Sequence, residues 1–293
     1  MLKEFRKEGI TVMVKFFDTH AHINYEEYGE KERRELIEEI EDTGKMAYVA
    51  DIGFDLPSSK QAVEDANSLS WVYAVVGVHP HDTDSMTEET LKELEILAES
   101  SDKVVAIGEI GLDYHYDNSH RDNQRKWFRK QIQLANKLKL PIVIHSRDAH
   151  QETMEILVEE GAFSEERKSY FPKRRGADGT ETPDARVLIH CFSGSEELAQ
   201  QYVDLGASIS IGGPVTFKNN KKTKKVAESI PIEYILIETD TPYLTPEPFR
   251  GRPNKPYYVE YTASKIAELK GMTLEEVAKE TLKNGKNFYG IEK

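Results

Sequence analysis

Residues 104–146, VVAIGEIGLDYHYDNSHRDNQRKWFRKQIQLANKLKLPIVIHS, read as strand, helix, strand. The two ends, VVAIGEIGLDY (104–114) and PIVIHS (141–146), are short apolar runs rich in β-branched residues. Such runs suit strands buried on both faces, as in parallel sheets. Between them, Phe128, Ile132 and Ala135 recur at helical spacing from Gln124 to Leu138, leaving one apolar stripe on a charged helix.

The same pattern extends in both directions. VKFFD (14–18), KMAYVADIG (45–53) and WVYAVVGVHP (71–80) precede the unit; RVLIHCF (186–192), ASISIGG (207–213) and YILIETD (234–240) follow it. Leu36, Ile37 and Ile40 mark one intervening amphipathic segment, and Leu91, Leu94, Leu97 and Ala98 another. Pro57 and Pro141 fall at element starts, and Gly44, Gly161 and Gly206 follow helical stretches as caps do. Two further helices, near 256–270 and 273–283, close the chain. Eightfold strand–helix alternation predicts an α/β fold, a single-domain (β/α)8 TIM barrel spanning 14–293. An open doubly wound sheet is the alternative, but no glycine-rich phosphate loop follows the first strand. Residues 1–13 stand apart as an N-terminal extension. Residues 164–185, SEERKSYFPKRRGADGTETPDA, form an insertion loop too polar for core, expected at the helix side or bottom of the barrel.

Composition narrows the function classes. The 293 residues carry 39 basic and 52 acidic side chains, a net charge of −13. Long-range repulsion of phosphates argues against a protein that coats duplex DNA, while leaving room for a local cationic site. One cysteine excludes an internal disulfide and a cysteine-rich zinc site. The chain has no apolar run near the ~18 residues of a membrane span. MLKEFRKEGITVM lacks the apolar core of a secretory signal. A cytoplasmic protein with no membrane and no obligatory protein partner is expected.

In a barrel, chemistry gathers at the C-terminal ends of the strands. Those ends hold His20 and His22, Glu109, His145, His190 and Asp240. His20 and His22 are two apart, so an extended backbone points both the same way. Taken singly, each residue has an ordinary structural role: a satisfied core histidine, a paired carboxylate, a helix cap. Four histidines and two carboxylates at one end are costly to bury without a cation. Six ligands suit two divalent ions sharing a carboxylate, with Glu109 as the bridge. One ion takes His20, His22, Glu109 and Asp240; the other takes Glu109, His145 and His190. Imidazoles favour Zn2+, Mn2+ or iron over Mg2+, without settling the metal. Two such ions against two carboxylates leave about +2 in the pocket, an anion site. His79, His81 and Arg147 are candidates for substrate binding. Cys191 is expected to face the helix layer, and His115, His120 and His150 the surface. KNNKKTKK (218–225) reads as a solvated face that could also reach substrate. PYLTPEPFRGRPNKP (242–256) sets Tyr243, Phe249, Arg250 and Arg252, with Tyr257 just beyond, beside the site, suiting single-stranded nucleic acid.

FDTHAHI, GVHPHD, EIGLDY with Gln124 and Phe128, PIVIHSRDA, HCFSGS, SIGG and ETDTPYLTPEPFRGRPNKP, in that order, resemble the TatD family of metal-dependent deoxyribonucleases. The resemblance runs from about residue 16 to the C-terminus. It implies an amidohydrolase-like barrel whose two-metal site falls on the six residues above. It also implies a nuclease that hydrolyses phosphodiesters from a single-stranded 3′ end, with Mg2+ or another divalent ion. Related barrels that cleave phosphotriesters or cyclic amides often carry a modified lysine at the strand-4 bridge; Glu109 there favours the nuclease branch. Glu109 and Asp240 are then the catalytic carboxylates, Asp240 orienting the attacking water or taking its proton. Two rival readings stay open: a metal-dependent ester or amide hydrolase, such as an aminoacyl-tRNA deacylase, and an anion-binding scaffold with structural metals.

Overall fold

The computed structural model describes residues 14–25, 27–176 and 178–291; the 1–13 extension lies outside them. Eight parallel strands, β1 (Phe16–Ala21), β2 (Met46–Ile52), β3 (Val72–Val76), β4 (Val104–Asp113), β5 (Ile142–Arg147), β6 (Val187–Ile189), β7 (Ser208–Ile211) and β8 (Ile235–Ile237), pair in sequence order. The ring closes above β8. The Asp240 N–H donates to His20 O and the His22 N–H to Thr241 O, both at 2.9 Å. Ala21 and Thr241 form a parallel bridge there. The result is a nearly closed (β/α)8 barrel.

Strand alternation sorts the core into two layers. Phe17, Ala50, Val75, Val143, Leu188 and Leu236 pack in one cluster. Their neighbours Phe16, Val49, Ala74, Ile142, Ile189 and Ile235 pack in another with the helices. The α-helices longer than one turn are α1 (Glu30–Thr43), α2 (Leu56–Ser68), α3 (Glu88–Glu99), α4 (Arg121–Leu138), α5 (His150–Glu159), α6 (Glu196–Asp204), α7 (Lys221–Ser229), α8 (Val259–Lys270) and α9 (Leu274–Tyr289), among the described residues. No helix among the described residues is long and apolar enough to cross a membrane. Helix α9 runs six residues beyond the expected end at 283. Gly285 lies inside it because a Cβ there would meet Phe17 Cδ1 at 2.6 Å. Tertiary packing outweighs the poor helix propensity of glycine.

The polar 164–185 segment buries more than its composition suggests. Arg167 is only 1% exposed. Its guanidinium donates to Ala185 O (2.9 Å), Asn136 Oδ1 (2.8 Å) and Leu140 O (2.8 Å), tying together the chain just before β5 and β6. A two-residue ribbon, Arg174–Arg175 with Glu181–Thr182, follows. Arg174 in turn pairs with Asp184 at 2.9 Å. Arg167→Met would strand these acceptors without donors, so we expect a loss of about 3 kcal/mol in urea unfolding. Activity of the folded variant should be unchanged, because the segment lies at the end of the barrel away from His145 and His190.

Candidate metal centre

Alternation carries the β5, β6 and β8 faces of Val143, Leu188 and Leu236 upward to His145, His190 and Glu238. Two irregularities complete the set. The β1–β2 register slips between Asp18 and Ala21, and the β4–β5 register between Ile107 and Ile110. Such slips re-aim side chains, and these two bracket His20 and Glu109. Gly111, at φ 150°, permits the close approach of β4 to β5: a Cβ there would lie 1.9 Å from His145 O.

Glu109 is the hub. Its Oε1 lies 2.7 Å from His190 Nε2, 2.8 Å from His145 Nδ1 and 3.8 Å from His79 Nε2. Its Oε2 lies 3.4 Å from His20 Nε2. Asp240 Oδ1 is 3.5 Å from His22 Nε2 and 3.8 Å from His20 Nε2. Among the described residues, three groups of donor atoms fall within metal-binding reach: His20–Glu109–His190, His20–His22–Asp240 and His79–Glu109–His145. The rings of His20 and His190 stack at 3.9 Å.

The buried polar atoms fit a divalent cation. His20 is fully buried, and neither of its ring nitrogens has a hydrogen-bond partner. His190 Nδ1 and Glu238 Oε2 are also without one. Stranding such atoms is costly, and a cation would satisfy their lone pairs. Burial opposes ionisation of Glu109, yet the imidazoles of His190, His79, His20 and His145 hold its carboxyl well below the usual range. Burial lowers His20, with His190 adding to the effect. His190, against its burial, is raised by Glu109 and Glu238.

The sequence pattern of the family described as TatD related DNase matches residues 17–290. The chain belongs to the TatD family. It is 45% identical to an uncharacterized metal-dependent hydrolase, YabD, of Bacillus subtilis, over 94% of this chain and 99% of that protein. It is 33% identical to an uncharacterized metal-dependent hydrolase, TatD, of Mycobacterium tuberculosis, over 94% and 97%. Among solved structures, the TatD homolog YjjV of Escherichia coli superposes with a TM-score of 0.81 at 26% identity, over 96% and 100%. The chain is a TatD-family metal-dependent hydrolase.

In this TatD barrel all six residues anticipated from the strand ends converge, and the donor groups bring in His79 as well. His79 joins Glu109 and His145, while His190 joins Glu109 and His20. His81 stands one step out, its Nε2 3.0 Å from Asp113 Oδ2, which also meets His145 Nε2 at 3.0 Å. Arg147 is exposed at the rim, its guanidinium 4.6 Å from the Tyr116 ring. Two carboxylates escape the sequence reading, Asp113 and the fully buried Glu238, which lies 3.5 Å from His190 Nδ1. Glu238 is two residues from Asp240 and Asp113 four from Glu109, so strand period could have found them. Four carboxylates would balance two divalent ions, removing the surplus of about +2 inferred from two.

Other expectations need correction. Strand β6 ends at Ile189, and Cys191 has φ 42°, so alternation does not carry to it. Its N–H donates to Glu238 Oε1 at 2.7 Å. Burial raises its thiol, with Glu238, Asp240 and Glu109 adding to the shift; it borders the site and does not face the helix layer. His115 and His120 are exposed and paired with Asp148 and Asp84. His150 is half-buried, 3.1 Å from Ser146 Oγ. In the lysine run, Lys224 donates to Phe217 O and Lys225 pairs with Glu196, leaving Lys218, Lys221 and Lys222 exposed.

Proposed function

We propose that this TatD-family hydrolase is a two-metal deoxyribonuclease that shortens single-stranded DNA from its 3′ end. The observation that carries the reading is the sharing of Glu109 between two groups of histidine donors. His20, His22, Glu109 and Asp240 would hold one ion; Glu109, His145 and His190 would hold the other, with His79 within reach of the second. Divalent ions bound by these residues would lower the pKa of a water and neutralise charge on the phosphoryl oxygens. Asp240 takes the proton of the attacking water. His81 and Arg147, the more open of the substrate-binding candidates, hold the phosphate, while burial and His145 keep the His79 imidazole neutral.

The test is release of nucleotides from end-labelled single-stranded DNA after chelation and separate refilling with Mg2+, Mn2+ and Zn2+. Stepwise 3′ shortening that requires an ion is expected. A protein that carries two ions, leaves DNA intact and releases acid from an acyl ester would instead be an ester or amide hydrolase.

Exposed aromatics at the mouth support the single-strand preference. Tyr116 is 56% and Tyr243 49% exposed. Tyr116 lies 5.5 Å from the His81 ring, and the Tyr243 N–H donates to Asp240 O at 2.8 Å. Each is placed to stack a base, a contact worth roughly 1–3 kcal/mol. Tyr116→Ala and Tyr243→Ala should each raise KM for single-stranded DNA about tenfold while leaving KM for an abasic oligonucleotide unchanged. An equal rise on both substrates would remove the stacking role.

A further inference from the structure

The bottom of the barrel carries a second basic site that the metal centre does not explain. A cavity of about 790 Å³ opens there, bounded by Arg186, Lys279, Lys283 and Lys286, with Leu282 and Ile291 as an apolar wall. No acidic residue lines it among the described residues, although the chain carries a net charge of −13. Arg186 directly precedes β6, so the length of that strand separates it from His190 at the other end.

Arg186 is the residue that ordinary packing leaves unexplained. It is 8% exposed, and its buried Nε has no hydrogen-bond partner. Among the described residues its guanidinium makes no hydrogen bond or ion pair. Asp184, the nearest candidate, is paired with Arg174 at 2.9 Å and accepts the backbone N–H of Arg186 at 2.9 Å. The guanidinium instead lies over the Phe171 ring at 4.7 Å. Its backbone is held at φ 47°, a left-handed conformation costly for any residue with a Cβ. A buried cation without a partner is expensive. Strain of this kind persists where the surroundings impose it, and it gathers at ligand sites.

The lysines have a simpler account taken alone. Lys283 pairs with Glu280 at 2.9 Å, and lysines near the C-terminal end of α9 complement its dipole. That account does not reach Arg186, which comes from another part of the chain and faces the same cavity.

We propose that this cavity binds a phosphate monoester. A guanidinium offers parallel donors to two phosphate oxygens, and the lysines add compact charge. The volume exceeds that of a phosphate ion, and Leu282 and Ile291 offer the organic group an apolar face. The ligand is therefore of nucleotide size.

Titration calorimetry of inorganic phosphate and of dAMP into the metal-loaded protein tests this. Wild type is compared with Arg186→Met and with a Lys279→Gln, Lys286→Gln double variant, whose side chains are exposed or half-buried and spare the fold. We expect dAMP to weaken by about tenfold or more in both variants, with inorganic phosphate weaker than dAMP in wild type. Hydrolysis at the metal centre should keep its kcat/KM, and the titration does not depend on what that centre hydrolyses. Identical dAMP isotherms in all three proteins would overturn the site, assigning all binding to the metal centre. Equal affinity for phosphate and dAMP would overturn the organic part of the ligand. If Arg186→Met unfolds, the lysine variant alone decides.

Discussion

Glu109→Gln is expected to lower kcat/KM by about 10⁴-fold, equivalent to roughly 5.4 kcal/mol at the transition state. Both Glu109 oxygens are committed, Oε1 to His190 and His145 and Oε2 to His20. An amide keeps the shape but replaces one acceptor with a donor aimed at imidazoles that also need an acceptor. Both proposed ions lose a shared anionic ligand in one substitution, so metal content should fall together with activity. Elemental analysis after dialysis measures this directly. The fold should survive, because the Glu109 side chain belongs to the polar cluster and to neither apolar cluster of the barrel, and glutamine keeps its shape. A cooperative unfolding transition near that of the metal-free wild type would show it. Full turnover with two ions still bound would remove Glu109 from the centre of the site.

The barrel is legible in the sequence because its strands are buried on both faces and their apolar runs stand out against charged helices. The six candidate ligands follow from one rule, the position of chemistry at strand C-terminal ends. What escapes is governed by neighbours. The slips at Asp18–Ala21 and Ile107–Ile110 depend on how adjacent strands pair, which no single strand encodes. Glu238 and Asp113 pass as ordinary acidic residues until the ring closes and sets them beside His190, His145 and His81. Cys191 is misread because alternation is carried past the last residue of β6. Arg167 sits in a polar, proline-containing segment, yet three acceptors from Leu140, Asn136 and Ala185 make its burial tolerable.

Asp240→Asn is the sharper test of mechanism. Asp240 is the most solvent-accessible carboxylate of the cluster, its side chain 15% exposed against 4% for Glu109 and 0% for Glu238 and Asp113. It is therefore the one that can pass a proton to bulk water after taking it from the nucleophile. Its φ of 59° is left-handed, a conformation that asparagine tolerates better than most residues. The backbone bonds that fix it, Asp240 N–H to His20 O and Tyr243 N–H to Asp240 O, do not involve the side chain. The substitution thus removes charge and basicity without disturbing the closure of the ring. We expect kcat to fall by about 10³-fold, a loss in the range of general-base catalysis combined with a weakened ligand. KM should move little, because His81 and Arg147 are the groups proposed to hold the phosphate. Comparison with Glu109→Gln separates the roles: Asp240→Asn should retain the ion that Glu109, His145 and His190 would hold. Unchanged turnover in Asp240→Asn would assign the proton to another acceptor, and His81, paired with Asp113 at the open side of the site, would be the residue to replace next.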